Sequence, residues 1–290
     1  MSARTWVRPA VGGLLVVVLV ARFGADPVVR GVRAADGALI GVAVVLTAVA
    51  TACCAWRWQA VAAALDTRIG LGSAYLSCYG AQFVNATLPG GVLGDVHRAV
   101  EHGRRAEAVG RAARSVFWER TLGLAVQAVV TVAIVATVSS GLRSAALVVG
   151  VGAVAVTLLA VRWARHDLGA ILGRPKVAVT VVVASIGVAA CHTAVLLAAM
   201  AASGVGLPST ELVALALAVL LGSTIPTSIA GWGPREGAAA WAFVAVGLPA
   251  SEGLAVSVAY GVAALVATLP GALALLLTRL APARREAPVG

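Results

Sequence analysis

Long apolar runs recur along almost the whole chain, from Val11 to Leu277. A helix needs about 20 mostly apolar residues to cross the hydrocarbon core of a bilayer, and several of these runs reach that length. The 290 residues include only 22 basic and 12 acidic side chains, which is about half of what a soluble chain of this length carries. The sequence therefore excludes a water-soluble protein and predicts an all-α, polytopic membrane protein.

Six of the runs predict helices that span the membrane, and two further segments are interrupted. The six runs cover residues 9–23, 38–56, 115–138, 144–161, 177–202 and 253–278. Residues 211–248 hold enough apolar side chains for two helices but are divided by Pro226 and Pro234, and the short segment 74–88 ends at Pro89. We expect both segments to be broken or re-entrant, which gives about six to eight transmembrane helices and a pattern compatible with an inverted repeat.

We expect one integral membrane domain over residues 1–290, with a disordered tail at about 281–290. When the N-terminus is placed in the cytoplasm, 16 Lys and Arg side chains fall in cytoplasmic connections and 4 fall in connections on the opposite side. Cytoplasmic connections are enriched in Lys and Arg. Both termini are therefore predicted to be cytoplasmic.

Small apolar residues recur with a helical period between residues 96 and 116, while the arginines take other faces. This pattern predicts an amphipathic cytoplasmic helix over about 96–114. Its excess of arginine over glutamate suits docking on the anionic cytoplasmic leaflet. Pairs such as Glu101 with Arg105 are equally compatible with a solvated helix that such pairs stabilise.

Three groups of polar residues lie within or beside the apolar runs: residues 85–98, Trp118-Glu119-Arg120, and residues 226–237. A charged side chain at the bilayer centre costs about 2.5–3.5 kcal/mol on insertion scales, so such residues are candidates for function. In the first and third groups an apolar segment stops at Pro and Gly, and an acid and a base follow. Broken segments in the two halves of a chain are typical of a transporter's binding site, and we predict that residues 88–98 and 226–236 approach each other.

The chemistry of these groups suits a charged lipid headgroup. Asp95 and Arg98 share a helix face at a spacing of three residues, and arginine binds phosphate through two parallel hydrogen bonds. Asp95, Glu119 and Glu236 would balance the arginines or meet a cationic headgroup. The alternative is that the adjacent charges at 119–120 and 235–236 only pair with each other at helix ends near the interface.

The sequence lacks the motifs that several other classes of function require. The only lysine, Lys176, stands in no phosphate-binding loop, and no zinc, redox or serine-hydrolase motif occurs. The net charge of +10 is distributed between apolar runs rather than gathered on one hydrated face, so it does not predict binding to nucleic acid. We therefore expect no cofactor, no metal site and no catalysis.

Four motifs resemble the landmarks of the lysylphosphatidylglycerol synthase transmembrane-region family, whose members are also called flippase-like domain proteins. The motifs are Arg57-Trp58 at a helix end, Asn85 through Leu88-Pro89-Gly90-Gly91 to Asp95 and Arg98, Glu119-Arg120, and Gly231-Trp232-Gly233-Pro234-Arg235-Glu236. The resemblance spans nearly the whole chain. It implies a multi-pass protein of the bacterial inner membrane, related to the domain that moves aminoacylated phosphatidylglycerol across the bilayer.

Two features depart from the family pattern. Leu93-Gly94-Asp95 stands where the family often has Gly-Gly-Asp, and no soluble aminoacyltransferase or glycosyltransferase domain follows within the 290 residues. We therefore do not expect lysyl transfer, and the lipid that is moved need not be lysylated. The motifs give a candidate substrate-binding set of Arg57, Asn85, Pro89, Gly90, Gly91, Asp95, Arg98, Glu119, Arg120, Gly231, Trp232, Gly233, Arg235 and Glu236.

Three functions remain open at this point. The first is a translocator of a phospholipid or lipid-linked headgroup, with an anionic or zwitterionic membrane lipid as its partner. The second is a membrane enzyme, or an accessory subunit of a separate lipid-modifying or glycolipid transferase. The third is a secondary transporter of small solutes, which needs a cavity closed to lipid, whereas a lipid translocator needs a lateral opening between helices. The sequence leaves the identity of the lipid, the direction of movement and the oligomeric state open.

Overall fold

The computed structural model of the chain describes residues 21–88, 91–138, 142, 150, 152, 165–224 and 233–280. All regular structure within these residues is helical, and they contain no strand. The main helices are α1 Asp26–Ala34, α2 Gly37–Ala64, α3 Leu71–Thr87, α4 Leu93–Arg105, α5 Val109–Val138, α6 Arg165–Leu172, α7 Pro175–Ala202, α8 Ser209–Gly222, α9 Pro234–Ala245, α10 Ala250–Thr268 and α11 Pro270–Leu280.

Four segments are long and apolar enough to cross a membrane: α2, α5, α7 and the combined segment Ala250–Leu277. Only 28–39% of the most apolar window in each segment is buried inside the protein, so most of this apolar surface faces outward. An outward apolar surface of this extent is stable against lipid but not against water. The chain is therefore a polytopic, all-α membrane protein.

The predicted spans at 38–56, 115–138 and 177–202 are confirmed as parts of α2, α5 and α7, which are longer than expected. The predicted span at 253–278 is divided between α10 and α11, because Pro270 lacks the N–H that a continuous helix needs. Residues 211–248 form two helices, α8 and α9, as their apolar content predicts. Most of the predicted span at 144–161, most of the span at 9–23 and the expected tail at 281–290 lie outside the described residues.

Helices α2 and α7 pack antiparallel over most of their length. Arg57, near the C-terminal end of α2, contacts Ser185 in the first half of α7, and Leu39 at the start of α2 shares a buried cluster with Leu196 near the end of α7. The same cluster continues through α8, α9 and α10, where Leu215, Phe243 and Ala259 are fully buried. This apolar core holds the helices that carry the charged side chains described below.

The predicted amphipathic helix over 96–114 is wrong in its extent, because the structure divides it into two helices. Helix α4 ends at Arg105, and α5 begins at Val109 after a turn in which Glu107 has a φ of 51°. Gly103 lies so close to the start of α5 that an added Cβ would be 2.5 Å from the Cα of Val109. The small apolar residues of the predicted pattern do not form one buried face. Ala99, Gly103 and Val116 are buried, whereas Val96, Val109 and Ala113 are exposed.

Candidate functional site

Glu119 is buried in the first half of α5 between two arginines from other helices. Its Oε1 accepts hydrogen bonds from Arg57 in α2, at 3.0 Å from Nε and with a second bond from Nη2. Its Oε2 accepts a hydrogen bond of 2.6 Å from Nη2 of Arg98 in α4. Both carboxylate oxygens are therefore used to join α2, α4 and α5.

Arg57 reaches this position because a glycine makes room for it. An added Cβ at Gly123 would be 2.6 Å from the guanidinium Nη1 of Arg57, so no larger residue fits there unless Arg57 moves. Nη1 of Arg57 donates to the hydroxyl of Ser185 in α7 at 2.8 Å, and Nη2 approaches the sulfur of Cys54 at 3.8 Å. Arg57 thus also ties α7 to the cluster.

Arg98 is enclosed on all sides. Its Nε donates to Oδ1 of Asp95 at 3.0 Å, and its Nη1 lies 3.4 Å from the sulfur of Cys78 in α3. The guanidinium carbon lies 4.7 Å from the centre of the Trp58 ring, which adds a cation–π contact. The expectation that Asp95 and Arg98 share a face of one helix is confirmed.

Asp95 and Asn85 connect the two sides of the interrupted segment between α3 and α4. The side-chain oxygen of Asn85 accepts the backbone N–H of Gly94 at 2.8 Å, and its Nδ2 donates to Oδ2 of Asp95 at 3.0 Å. Close packing needs the glycine here, since an added Cβ at Gly94 would collide with the backbone of Ala81 in α3. Asn85 therefore serves as a clip that fixes the start of α4 on the end of α3.

Arg120 completes this group, and it is the member that faces outward. Its Nε donates to Oδ2 of Asp95 at 3.0 Å, and its Nη2 contacts the same oxygen. The side chain of Arg120 is 54% exposed, whereas that of Asp95 is 13% exposed and those of Arg57, Arg98 and Glu119 are buried. We call Arg57, Asp95, Arg98, Glu119 and Arg120 the first charge cluster.

The first charge cluster carries one more positive charge than negative charge. Three guanidinium groups face two carboxyl groups, and arginine keeps its proton throughout the accessible pH range. Burial alone would raise the pKa of Asp95, but the guanidinium groups of Arg120 and Arg98 outweigh burial and lower that pKa below its usual value. Asp95 is therefore ionised at neutral pH, and the surplus positive charge is presented at the exposed side chain of Arg120.

Arg235 and Glu236 at the start of α9 form a second group. Oε1 of Glu236 accepts bonds from Nη2 and Nε of Arg235 at 2.6 and 3.1 Å and from the hydroxyl of Ser257 in α10 at 3.1 Å. Its Oε2 accepts the backbone N–H of Gly233 at 2.6 Å, which satisfies a donor that the helix start leaves without a helical partner. We call Arg235, Glu236 and Ser257 the second charge cluster.

The second charge cluster also has an arginine seated on a glycine and next to an aromatic ring. An added Cβ at Gly261 in α10 would collide with Nη2 of Arg235, and the guanidinium carbon lies 5.4 Å from the centre of the Tyr260 ring. The hydroxyl of Tyr260 is 3.0 Å from Nδ1 of His192 in α7. His192 is therefore a packed histidine that hydrogen-bonds to the next helix layer through Tyr260.

The structure joins six of the candidate residues through direct contacts, namely Arg57, Asn85, Asp95, Arg98, Glu119 and Arg120, and separates one expected pair. Glu119 and Arg120 do not pair with each other, because each bonds to residues of other helices. The sequence analysis placed Arg57 at a helix end, and this prediction is wrong. Arg57 lies seven residues before the end of α2. The helix continues past it because the charge is compensated inside the protein by Glu119.

The remaining candidates are described in part. Pro89, Gly90, Gly231 and Trp232 lie outside the described residues, whereas Gly91 and Gly233 have positive φ angles of 62° and 110° that favour glycine. Among the described residues no hydrogen bond or ion pair joins the two charge clusters. Helix α4 packs on α3 and α5, whereas α9 packs on α8 and α10. The approach of residues 88–98 and 226–236 therefore stays a prediction.

Three small polar side chains that contact the buried arginines were not predicted from the sequence. Ser185 and Ser257 are buried and each accepts a hydrogen bond from an arginine, and Cys78 lies against Arg98. Isolated serine and cysteine residues are common in apolar helices, so their type alone is not informative. A buried arginine with five N–H donors nevertheless requires several acceptors, and this requirement is the one signal from which such partners could have been predicted.

Comparison with known families identifies one match, which covers nearly the whole chain. The family model described as lysylphosphatidylglycerol synthase TM region matches residues 5–271. This range includes every residue of both charge clusters. No curated protein matches the chain.

Proposed function

Because the chain belongs to the lysylphosphatidylglycerol synthase transmembrane-region family, we propose that it translocates a phosphate-bearing lipid across the bacterial inner membrane. The family is a membrane domain that is often linked to flippase-like function. The observation that carries the proposal is the position of the first charge cluster. It lies among apolar helices, two of which are long enough to span a membrane, and one of its arginines faces outward.

The depth of Arg120 supports a role at the bilayer rather than in the aqueous phase. It stands five residues after the start of the predicted span at 115–138, which corresponds to about 8 Å along a helix that rises 1.5 Å per residue, so its long side chain can reach the interface. An exposed arginine at such a position is costly unless it reaches the interface or meets a counter-ion. A lipid phosphate is the anion that is most abundant at this depth, and arginine binds it through two hydrogen bonds.

We propose that translocation is facilitated and that the protein itself does not modify the lipid. A separate lipid-modifying transferase would supply the substrate. We also propose that both termini face the cytoplasm. Arg57 and Arg98 are buried rather than located in connections, so removing them from the count leaves 14 cytoplasmic cations against 4 on the other side and preserves the bias on which the orientation rests.

The test is reconstitution of the purified full chain in liposomes that contain a panel of labelled lipids. An impermeant reductant that bleaches the outer leaflet measures how fast label reaches it from the inner leaflet. We expect wild-type protein to accelerate movement of at least one phosphate-bearing lipid and to leave a labelled diacylglycerol unaffected. Protein-containing liposomes that move no phosphate-bearing lipid faster than empty liposomes would contradict the proposal.

Arg120→Gln and Arg111→Gln form the matched pair of variants for this assay. Both arginines are exposed and lie on α5, but only Arg120 belongs to the first charge cluster. We expect Arg120→Gln to slow lipid movement at least about tenfold, the loss expected for a hydrogen bond to a charged group. Arg111→Gln should match the wild type. Equal rates in the two variants would remove Arg120 from the site.

A further inference from the structure

Arg120 is attached to the first charge cluster through a single oxygen atom, Oδ2 of Asp95. We infer that Arg120 is an exchangeable anion clamp, which releases Asp95 and binds a phosphate group in its place. The inference deepens the proposed function and rests on it for the identity of the ligand as a lipid. The chemistry itself, a phosphate monoester or diester on a guanidinium group, is shared by lipid headgroups and free phosphate.

The three arginines of the cluster differ in how many of their donors are already used. All three nitrogens of Arg57 and all three of Arg98 have partners within the protein. Arg120 uses Nε and Nη2, and its Nη1 has no hydrogen-bond partner among the described residues. Arg120 is therefore the guanidinium of the first charge cluster that offers an accessible donor edge to a ligand.

Release of Arg120 leaves the buried carboxylate compensated. Oδ2 of Asp95 keeps its hydrogen bond of 3.0 Å from Asn85, and Oδ1 keeps its bond of 3.0 Å from Arg98. The exchange therefore avoids the large penalty of an unpaired buried charge. Glu119 has no such reserve, because its two oxygens depend on Arg57 and Arg98 alone among the described residues.

The charge balance favours the exchange in the direction of an anion. The cluster holds one surplus positive charge, so a bound phosphate would neutralise it, whereas a cation would increase it. Phosphate also matches the planar fork of arginine better than a single carboxylate oxygen does, because two phosphate oxygens can accept two parallel N–H donors. Asp95 thus acts as an internal competitor that holds Arg120 in place until a phosphate arrives.

This competition gives two substitutions opposite effects on binding. Arg120→Gln removes the clamp, so we expect affinity for a phosphate-bearing ligand to fall at least about tenfold. Asp95→Asn removes the competing charge and keeps one oxygen, which can still accept from Arg98 although the bond from Asn85 is lost. We therefore expect severalfold tighter binding in the folded variant. If Asp95 only supported the local structure, Asp95→Asn would weaken binding or leave it unchanged.

The experiment measures equilibrium binding to the full chain in an uncharged detergent. The probes are short-chain phosphatidylglycerol, inorganic phosphate, and a diacylglycerol of the same chain length as a probe without phosphate. Wild type, Arg120→Gln, Asp95→Asn and the control Arg111→Gln are compared after thermal unfolding has shown that each is folded. Arg120→Gln alters an exposed side chain, so it decides the question even if Asp95→Asn does not fold.

The inference is supported if phosphatidylglycerol binding falls in Arg120→Gln and rises in Asp95→Asn, with no binding of diacylglycerol. Unchanged binding in Arg120→Gln, or weaker binding in folded Asp95→Asn, overturns it. If inorganic phosphate binds as tightly as phosphatidylglycerol, the clamp is supported and free phosphate is its ligand. Binding with this pattern in a protein that moves no lipid would retain the clamp and refute translocation, so the two proposals fail separately.

Discussion

The two charge clusters contain similar side chains but differ in structure and, we expect, in role. In each, an arginine lies against a helical glycine and donates to a glutamate and to a buried serine. The first cluster gathers its charges from three helices, with Arg57 and Glu119 separated by 62 positions. The second combines adjacent residues, Arg235 and Glu236, with one serine of the next helix.

The clusters also differ in balance and access. The first has a surplus positive charge and one outward-facing arginine, whereas the described charges of the second are one positive and one negative, both buried. In the second, Glu236 caps the start of its own helix through Gly233. A balanced, enclosed cluster can fasten helices together, but binding of a charged ligand needs an accessible charge that the protein leaves unbalanced.

The largest effect is expected from Glu119→Gln in the first charge cluster. Glutamine keeps the size of the side chain but leaves Arg57 and Arg98 without the carboxylate between them. Loss of one partner from a buried ion pair costs about 3–5 kcal/mol, so we expect a large fall in the temperature of unfolding in detergent. Glu101→Gln is the control, because the Glu101 and Arg105 side chains are both 43% exposed and such pairs contribute less than about 1 kcal/mol. A Glu119→Gln protein as stable as the Glu101→Gln control would show that the first cluster does not hold its helices together.

Arg235→Lys examines whether the second cluster is structural. Lysine keeps the charge but cannot reproduce the bonds from Nε and Nη2, so we expect a loss of about 1.5–3 kcal/mol in the free energy of unfolding. Translocation by the protein that remains folded should stay close to wild type, in contrast to Arg120→Lys, which should reduce translocation more than stability. Both properties are measured on the same samples. A stable but inactive Arg235→Lys would instead give Arg235 the role in substrate passage that its sequence motif suggests.

A glycine-to-alanine substitution can be made against the key arginine of each cluster, and it tests whether that arginine is held in place. Gly123→Ala and Gly261→Ala would force Arg57 and Arg235 to shift, which costs about 1–3 kcal/mol when a buried site is overpacked and is offset by about 1 kcal/mol of helix propensity. Gly41→Ala in α2 has open space around it and should be neutral or stabilising. We expect the two cluster variants to unfold at lower temperature than this control. If either equals it, the arginine above that glycine is free to move.

The sequence was sufficient to predict features that depend on local patterns. Apolar runs predicted the membrane helices, and the Pro and Gly residues predicted the break between α3 and α4. The spacing of Asp95 and Arg98 predicted their pairing, because residues three apart lie on one helix face. The family motifs pointed to all five members of the first charge cluster before their contacts were known.

Contacts between helices were beyond such patterns. The pair of Arg57 with Glu119 depends on how α2 and α5 are aligned along their axes. This alignment cannot be predicted from the local patterns of a single sequence. Adjacency in sequence did not decide the pairing either, since Glu119 and Arg120 bond to different partners whereas the equally adjacent Arg235 and Glu236 bond to each other. The turn at residues 106–108 was missed because small apolar residues keep the same period on both sides of it.

The smallest effect is expected from Tyr260→Phe, which tests how far the second charge cluster extends. The substitution removes the hydroxyl that lies 3.0 Å from Nδ1 of His192 but keeps the ring beside Arg235. A single neutral hydrogen bond contributes about 0.5–1.5 kcal/mol, so the fall in stability should be smaller than for Arg235→Lys. Tyr75→Phe is the control, since no hydrogen bond of the Tyr75 hydroxyl occurs within the described part of the chain. If Tyr260→Phe lowered the free energy of unfolding more than Arg235→Lys does, the hydrogen bond between α7 and α10 would be the main stabilising contact of this region. The pair of Arg235 with Glu236 would then act only as a helix cap.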